Sequence, residues 1–287
     1  MLRIGLVNDL HWMQAPPASP TAWHGPGEFE GVLDRLQLAL THFAAKEVDL
    51  VIAAGDFAHH GDLDSLSHVL SALAGADASA LAVSGNHDVV DDPHLLERAL
   101  EQAAVQGVAL ATPTGSPQGE MQVAGVHVDA SEGWFGVRLR EPPDTAAWSS
   151  EPVLLISHYP VLSLACAVTA SGFPYPGDLI ERAEIADRLS ARSAPTVVLS
   201  GHIHARASIA EGPVLQITNA AMVEPPYECS VIEIESAPSG ALTVVRESVR
   251  VGAPASRREP VFSAPHEEWT FDGAGWCAAQ RTAAMHS

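Results

Sequence analysis

The chain has 287 residues, 47% of them hydrophobic and 6% aromatic, enough to bury a substantial core as one large domain. Lys and Arg number 15 against 35 Asp and Glu, a formal charge of −20, which repels polyphosphate backbones and argues against general affinity for duplex nucleic acid. No apolar run approaches the ~20 residues of a membrane span, and Cys166, Cys229 and Cys277 are too few and scattered for a disulfide framework or a thiolate zinc motif. The opening "MLRIGLVNDLHW" runs straight into a strand-like segment with no signal-peptide pattern, so a cytoplasmic protein is expected.

In chain order, "RIGLV" reads as a strand and "GVLDRLQLALTHFAAK" as a helix, with Leu33, Leu36, Leu40 and Phe43 at helical spacing. "VDLVIAA" is a second strand, "DLDSLSHVLSALAG" a helix ending near Gly75, and "SALAVS" a third strand. "DDPHLLERALEQAAVQG" predicts a helix with Asp92 as N-cap, Pro93 at the first helical position and Gly107 just past the end. From about 119, "EMQVAGVHVDAS", "EPVLLIS" and "APTVVLS" are strand-like, with the helix "LIERAEIADRLSARS" between the last two. "PVLQITN", "CSVIEIES" and "ALTVVRESVRV" follow as strands, the last two joined by the turn "APSG". This is mixed α/β, with many strands and helices outside them, which two sheets between helical layers accommodate. Two Pro-rich stretches stand apart: "MQAPPASPTAWHGPG", read as a loop, and "GAPASRREPVFSAPHEEW", read as a mobile or wrapping tail. The domain expected is 1–250, with 251–287 as a C-terminal extension.

Five of the apolar runs end in polar residues of one chemical kind. "RIGLVND" delivers Asp9 and then His11, "DLVIAAGD" delivers Asp56, and "ALAVSGNHD" delivers Asn86, His87 and Asp88. "PVLLISH" delivers His158, and "PTVVLSGHIH" delivers His202 and His204. In α/β proteins the carboxyl ends of strands are where loops converge on a site. Three carboxylates, a carboxamide and five imidazoles exceed the four ligands of one zinc. They suit two divalent ions sharing a carboxylate, and the mixed N and O donors point to Mn, Fe, Co, Ni or Zn rather than calcium. Two such ions hold a bridging hydroxide and clamp a phosphoryl oxygen.

The order Asp-x-His, Gly-Asp, Gly-Asn-His-Asp, His, Gly-His-x-His resembles that of the calcineurin-like metallophosphoesterases, over motifs spanning about 200 residues. The resemblance implies a four-layer α/β/β/α sandwich. It implies Asp9, His11 and His204 on one metal, Asn86, His158 and His202 on the other, and Asp56 bridging. His87 would stay off the metals as general acid toward the leaving group, with Asp88 orienting it. On this reading Gly201 lets the backbone come close, while two dications, two aspartates and a hydroxide leave the site near +1, an attractor for phosphate. Asn8 stands where many relatives have Ser or Thr, which touches only a supporting contact.

The function expected is hydrolysis of a small phosphodiester or phosphomonoester. A nuclease-type phosphodiesterase and a non-catalytic binding module on the same scaffold are the alternatives. The first needs a basic track that the 15 cationic residues do not form, and the second typically loses ligands that this chain keeps. Protein serine/threonine phosphatases of the superfamily carry Asp-Arg-Gly and Gly-Asn-His-Glu, where this chain has "HHG" and "GNHD". Its Asp-x-His opening leans toward phosphodiesterases. His59 and His60 read as a surface turn, and the loop with Trp12, Trp23 and His24 as a candidate lid. Tyr159 contacts substrate or packs, and His42, His68, His94 and His127 read as structural. Oligomeric state is left open.

Overall fold

Short strands buried on both faces divide their side chains between two layers, and that division builds this molecule. The computed structural model describes residues 1–279 apart from 17–20, 131, 134–135, 149–150, 238–240 and 256–257. In chain order the elements are β1 (Leu2–Val7), β2 (Thr21–Ala22), β3 (Gly25–Pro26), α1 (Val32–Ala45), β4 (Leu50–Ala54), α2 (Leu63–Leu73), β5 (Ser79–Val83), α3 (Leu95–Ala103) and β6 (Val108–Leu110). The chain continues through β7 (Ser116–Gln118), β8 (Met121–Val126), β9 (Val128–Asp129), β10 (Arg138–Leu139), β11 (Val153–Ser157), α4 (Ala165–Ala170), α5 (Arg182–Ser190) and β12 (Thr196–Ser200). Last come β13 (Ala207–Glu211), β14 (Val214–Thr218), β15 (Glu228–Ser236), β16 (Leu242–Arg250), β17 (His266–Phe271) and β18 (Trp276–Ala278).

Two sheets carry the fold. The first runs β18-β17-β16-β15-β1-β4-β5-β6, with β1, β4, β5 and β6 parallel and the β15 side antiparallel. The second runs β13-β14-β12-β11-β8-β7, parallel across its four inner strands. Alternation assigns the faces. Ile4, Leu6, Ile52 and Val83 of the first sheet meet Leu154, Ile156, Val197, Leu199 and Ile217 of the second in one apolar layer. The intervening Val7, Val51, Ala53 and Ala82 pack outward on Leu36, Phe43, Leu66, Leu70 and Leu96 of α1, α2 and α3. On the far side Val153, Leu155 and Val198 pack with Ile185 and Leu189 of α5. The result is a four-layer α/β/β/α sandwich. Truncating a fully buried residue of the middle layer, such as Leu199→Ala, leaves a cavity and costs about 2–5 kcal/mol.

Some boundaries differ from expectation. The helix foreseen at Asp92 starts at Leu95, with His94 at the N-cap position making no side-chain cap. Asp92 instead accepts from the His94 N–H at 2.9 Å, and the helix ends on Ala104 in a left-handed conformation, ahead of Gly107. The Pro-rich C-terminal segment runs into β17, and β17 with β18 continues the first sheet beyond residue 250. Trp269 and Phe271, two residues apart, put their side chains into the middle layer, the period of a strand. Of the expected "APSG" turn, residues 238–240 lie outside the described residues, as do 17–20 of the first Pro-rich loop. All three cysteines are free, and among the described residues no helix is long and apolar enough to cross a membrane.

Candidate metal centre

Strands β1, β4, β5, β11 and β12 deliver their terminal residues to one end of the seam between the sheets. Pairing of β1 with β4 continues past both strands: the N–H groups of Asp9, His11 and Trp12 donate to the carbonyls of Gly55, Asp56 and Phe57 at 2.9–3.0 Å. Asp9, His11, Asp56, His202 and His204 all take left-handed backbone, with φ between 48° and 66°. Only Glu47, Ala104 and Tyr227 share that conformation among the other described non-glycine residues. Left-handed backbone costs about 1–2 kcal/mol per residue, and Asp and His tolerate it better than most. The strand exits therefore turn sharply, and the turn aims the side chains into the seam. Close approach explains two motif glycines. A Cβ on Gly201 would lie 2.7 Å from Asp9 Oδ2, and one on Gly85 would overlap the Asp56 carboxylate.

Ligand-type atoms of Asp9, His11 and His204 lie within 4.8 Å of one another, and so do those of Asp9, Asp56 and His158. His11 Nε2 and His204 Nε2 stand 3.1 Å apart, both buried, and His11 Nε2 is 3.5 Å from Asp56 Oδ2. His158 Nε2 is 3.1 Å from the same Asp56 oxygen, while its Nδ1 donates to the Ala54 carbonyl at 2.8 Å. The structure thus brings Asp9, His11, Asp56, His158 and His204 together. His202 falls outside these tight groups, although its ring is 5.3 Å from His158 and stacks on Tyr159 at 3.7 Å. Two buried atoms in the centre, Asn86 Oδ1 and His202 Nε2, have no hydrogen-bond partner, and a third, His158 Nε2, faces only the Asp56 carboxylate. Buried polar atoms are otherwise almost always satisfied. These three are donors of electron pairs of the kind a cation takes, so the residues present fit a divalent ion.

Electrostatics separate the imidazoles into two kinds. Burial, and then the neighbouring histidines, hold His11 and His202 well below the usual range, so both rings are neutral, the form that ligates metal. Burial also disfavours charge on His158, but the Asp56 carboxylate beside it outweighs this and raises its pKa to about 9. His204 likewise rises against burial, drawn by Asp9 and Glu224. In return the histidines hold the Asp56 carboxyl well below its usual value despite burial.

His87 is half-buried, and its Nδ1 donates to the His59 carbonyl at 2.7 Å. The resemblance implied that Asp88 orients it, but the Asp88 carboxylate is taken up by backbone N–H groups instead. The fully buried Asp88 carboxylate accepts four backbone N–H groups, from Asp56 (2.8 Å), Phe57 (2.8 Å), Ala58 (3.1 Å) and Gly85 (2.8 Å). It clamps the two motif loops together, and the Asp56 carboxylate answers by accepting the His87 N–H at 2.9 Å. His59 also departs from expectation. It is half-buried at the centre, with Nδ1 3.3 Å from His11 Nδ1 and its ring stacked 5.1 Å from His87. Burial, then His87 and His60, lower its pKa to about 4. His60 is exposed, as a surface turn would have it.

Glu224 was not among the sequence candidates. It is fully buried and accepts from His204 Nδ1 at 2.5 Å and from the His24 N–H at 3.0 Å. Its signal is a lone acid inside the apolar "AAMVEPPY". His24 Nε2 bonds the Ile203 carbonyl at 3.0 Å, so the hairpin of β2 and β3 is fastened beside His204. Trp12 stacks on His68 and Trp23 bonds the Pro174 carbonyl. Asn8 donates to Asp9 and accepts from Asn219 at 2.8 Å, the supporting contact expected of it. His127 bonds Ser84 N and Ala111 O, a structural role.

A profile of the calcineurin-like phosphoesterases matches residues 2–206. The chain belongs to this family and is a metal-dependent phosphoesterase. No curated protein sequence is significantly similar to it. Among solved structures it is similar in fold to a dimetal phosphatase from Danio rerio, at 16% identity and a TM-score of 0.61, covering 88% of this chain and 96% of that one. It is also similar to the TT1561 protein of Thermus thermophilus, at 14% identity and a TM-score of 0.53, covering 88% and 99%.

Proposed function

We propose that the chain is a dinuclear hydrolase of a small phosphodiester or phosphomonoester. Asp9, His11 and His204 would hold one divalent ion, Asn86, His158 and His202 the other, with Asp56 between them. The observation that supports this most directly is the pair of buried, unpartnered atoms on Asn86 and His202, with His158 between them and Asp56, beside the compact Asp9–His11–His204 group. The donors suit Mn, Fe, Co, Ni or Zn. Ions bound there supply Lewis-acid activation of water and neutralise charge on the phosphoryl oxygens. His87, whose Nδ1 proton is engaged by the His59 carbonyl, would protonate the leaving oxygen from Nε2. Glu224 fixes the His204 ring and keeps its Nδ1 protonated, so that Nε2 is the ligating atom. A formal charge of −20 and so few cations favour a small substrate over a nucleic acid strand.

The test is metal analysis together with a substrate panel. Protein purified under mild conditions and loaded with Mn²⁺ is expected to carry close to two equivalents per chain, and Asp56→Ala to lower occupancy at both positions. It should cleave a bis-aryl phosphodiester at least as well as an aryl monoester. One ion or none at saturating Mn²⁺, on a correctly folded chain, overturns the dinuclear assignment.

A further inference from the structure

Next to the centre lies a cleft of about 490 Å³ lined by Ser171, Phe173, Arg250, Arg258, Val261 and Phe262, among others. Its charge is unusual for so acidic a protein. Among the described residues every Lys and Arg side chain but two faces a carboxylate, and the exceptions are Arg192 and Arg258. Arg192 donates to the Glu151 carbonyl and lies over Trp148. Within the cleft Arg250 is neutralised by Glu259, two bonds at 2.6 and 2.7 Å. Arg258 is exposed, and its guanidinium lies 5.0 Å over the Phe173 ring. Stacking on an aromatic face holds a guanidinium flat and leaves its edge free to pair with an anion.

His24 and Phe173 stand between the cleft and the metal centre. Phe173 is 5.2 Å from the His24 ring, and the His24 ring is 6.4 Å from that of His204. A phosphoester at the centre long enough to reach the cleft would pass His24 and Phe173. There it meets one cation without a carboxylate partner and an apolar surface of Phe262, 6.0 Å from Phe173, and the exposed Val261. We propose that this cleft is a substrate subsite, taking the second anionic group of an elongated phosphoester, a phosphate or carboxylate carried on a flat or apolar body. The substrate class rests on the hydrolase reading above, whereas the binding site does not.

Two measurements on the full chain test it. Calorimetry on chelator-treated protein, with AMP as the probe so that its one phosphate is read at the cleft, is expected to show binding that weakens on the order of 10–100-fold in Arg258→Ala, the worth of a charge-assisted bond, with Arg258→Lys in between. This result stands even on a protein that turns nothing over, so failure of the hydrolase reading is seen separately. AMP binding indifferent to Arg258, in variants with unchanged melting temperature, overturns the site. Inorganic phosphate run alongside should bind more weakly than AMP; equal affinity removes the apolar surface from the proposal. The second measurement compares a 5′-phosphorylated dinucleotide with the same dinucleotide lacking that phosphate. The wild type is expected to prefer the phosphorylated form through KM, and Arg258→Ala to abolish the preference. An equal loss on both dinucleotides refutes a subsite for the second anion.

Discussion

Replacing Asp88 by asparagine should damage the fold of the site and leave the chemistry's dependence on the leaving group alone. Each Asp88 oxygen accepts two backbone N–H groups: Oδ1 those of Phe57 and Ala58, Oδ2 those of Asp56 and Gly85. An asparagine in either orientation keeps one oxygen and turns its NH₂ toward the other pair of donors. Two buried N–H groups then lose their acceptor, at about 1–3 kcal/mol each, so the expected loss is about 2–6 kcal/mol. Asp88→Ala orphans all four, at about 4–12 kcal/mol, which rivals the whole stability of an ordinary domain, about 5–15 kcal/mol. The assay is urea unfolding of the asparagine variant with an unchanged m-value, alongside its kcat for a nitrophenyl ester and for an alkyl ester. The loss of rate should be similar for both esters, because it comes from a displaced Asp56. An Asn variant within about 1 kcal/mol of wild type, well below the expected loss, with a rate deficit confined to the alkyl ester, would refute the clamp. Asp88 would then act through His87 after all.

His87→Asn should show the opposite pattern: both metals retained, kcat lowered on the order of 10²–10⁴ for an alkoxide leaving group, and much less for nitrophenolate; equal losses would place His87 on the phosphoryl oxygens. Glu224→Gln removes the charge that holds His204 and should weaken metal binding about 10–100-fold, measured by competition with a chelator dye, with the hairpin of β2 and β3 released in hydrogen exchange. Unchanged affinity would leave Glu224 a purely structural residue. Gly85→Ala places a methyl group on the Asp56 carboxylate, and expression of a stable, fully metallated variant would contradict the packing described.

The metal-ligand candidates were legible because each follows an apolar run that stops abruptly, and a strand exit is a place set by the strand itself. The two-sheet sandwich was legible for the same reason, since period and length identify buried strands. What sequence did not reveal was decided across the sheets. Glu224 meets His204 only because the loop after β14 returns beside the exit of β12, and its surroundings in the chain are apolar. The resemblance implied His87 as the partner of Asp88, yet three of its four donors lie about thirty residues upstream in the loop after β4. His59 read as part of a polar surface turn. The continued pairing of residues 9–12 with 55–59 draws it against His11. Strand β17 was hidden by the prolines that precede it, although Trp269 and Phe271 carry the strand period.

The same geometry explains why the strained turns persist. The layer between the sheets is apolar, and dispersion alone does not fix one sheet's register against the other. At the centre, polar bonds cross the seam: the His202 N–H donates to the Asp9 carboxylate at 3.1 Å, and His158 Nδ1 to the Ala54 carbonyl at 2.8 Å. Each bond uses a residue at a strand exit, and three of the left-handed residues, Asp9, Asp56 and His202, take part in this stitching or in the Asp88 clamp. A relaxed backbone at Asp9 would withdraw its carboxylate from His202 and from the group with His11 and His204 at once. Strain at the exits and alignment of the sheets are therefore held by one set of contacts. Metal affinity and the stability of the seam should consequently fall together in variants of that set, whereas a substitution in the middle layer such as Leu199→Ala should lower stability first.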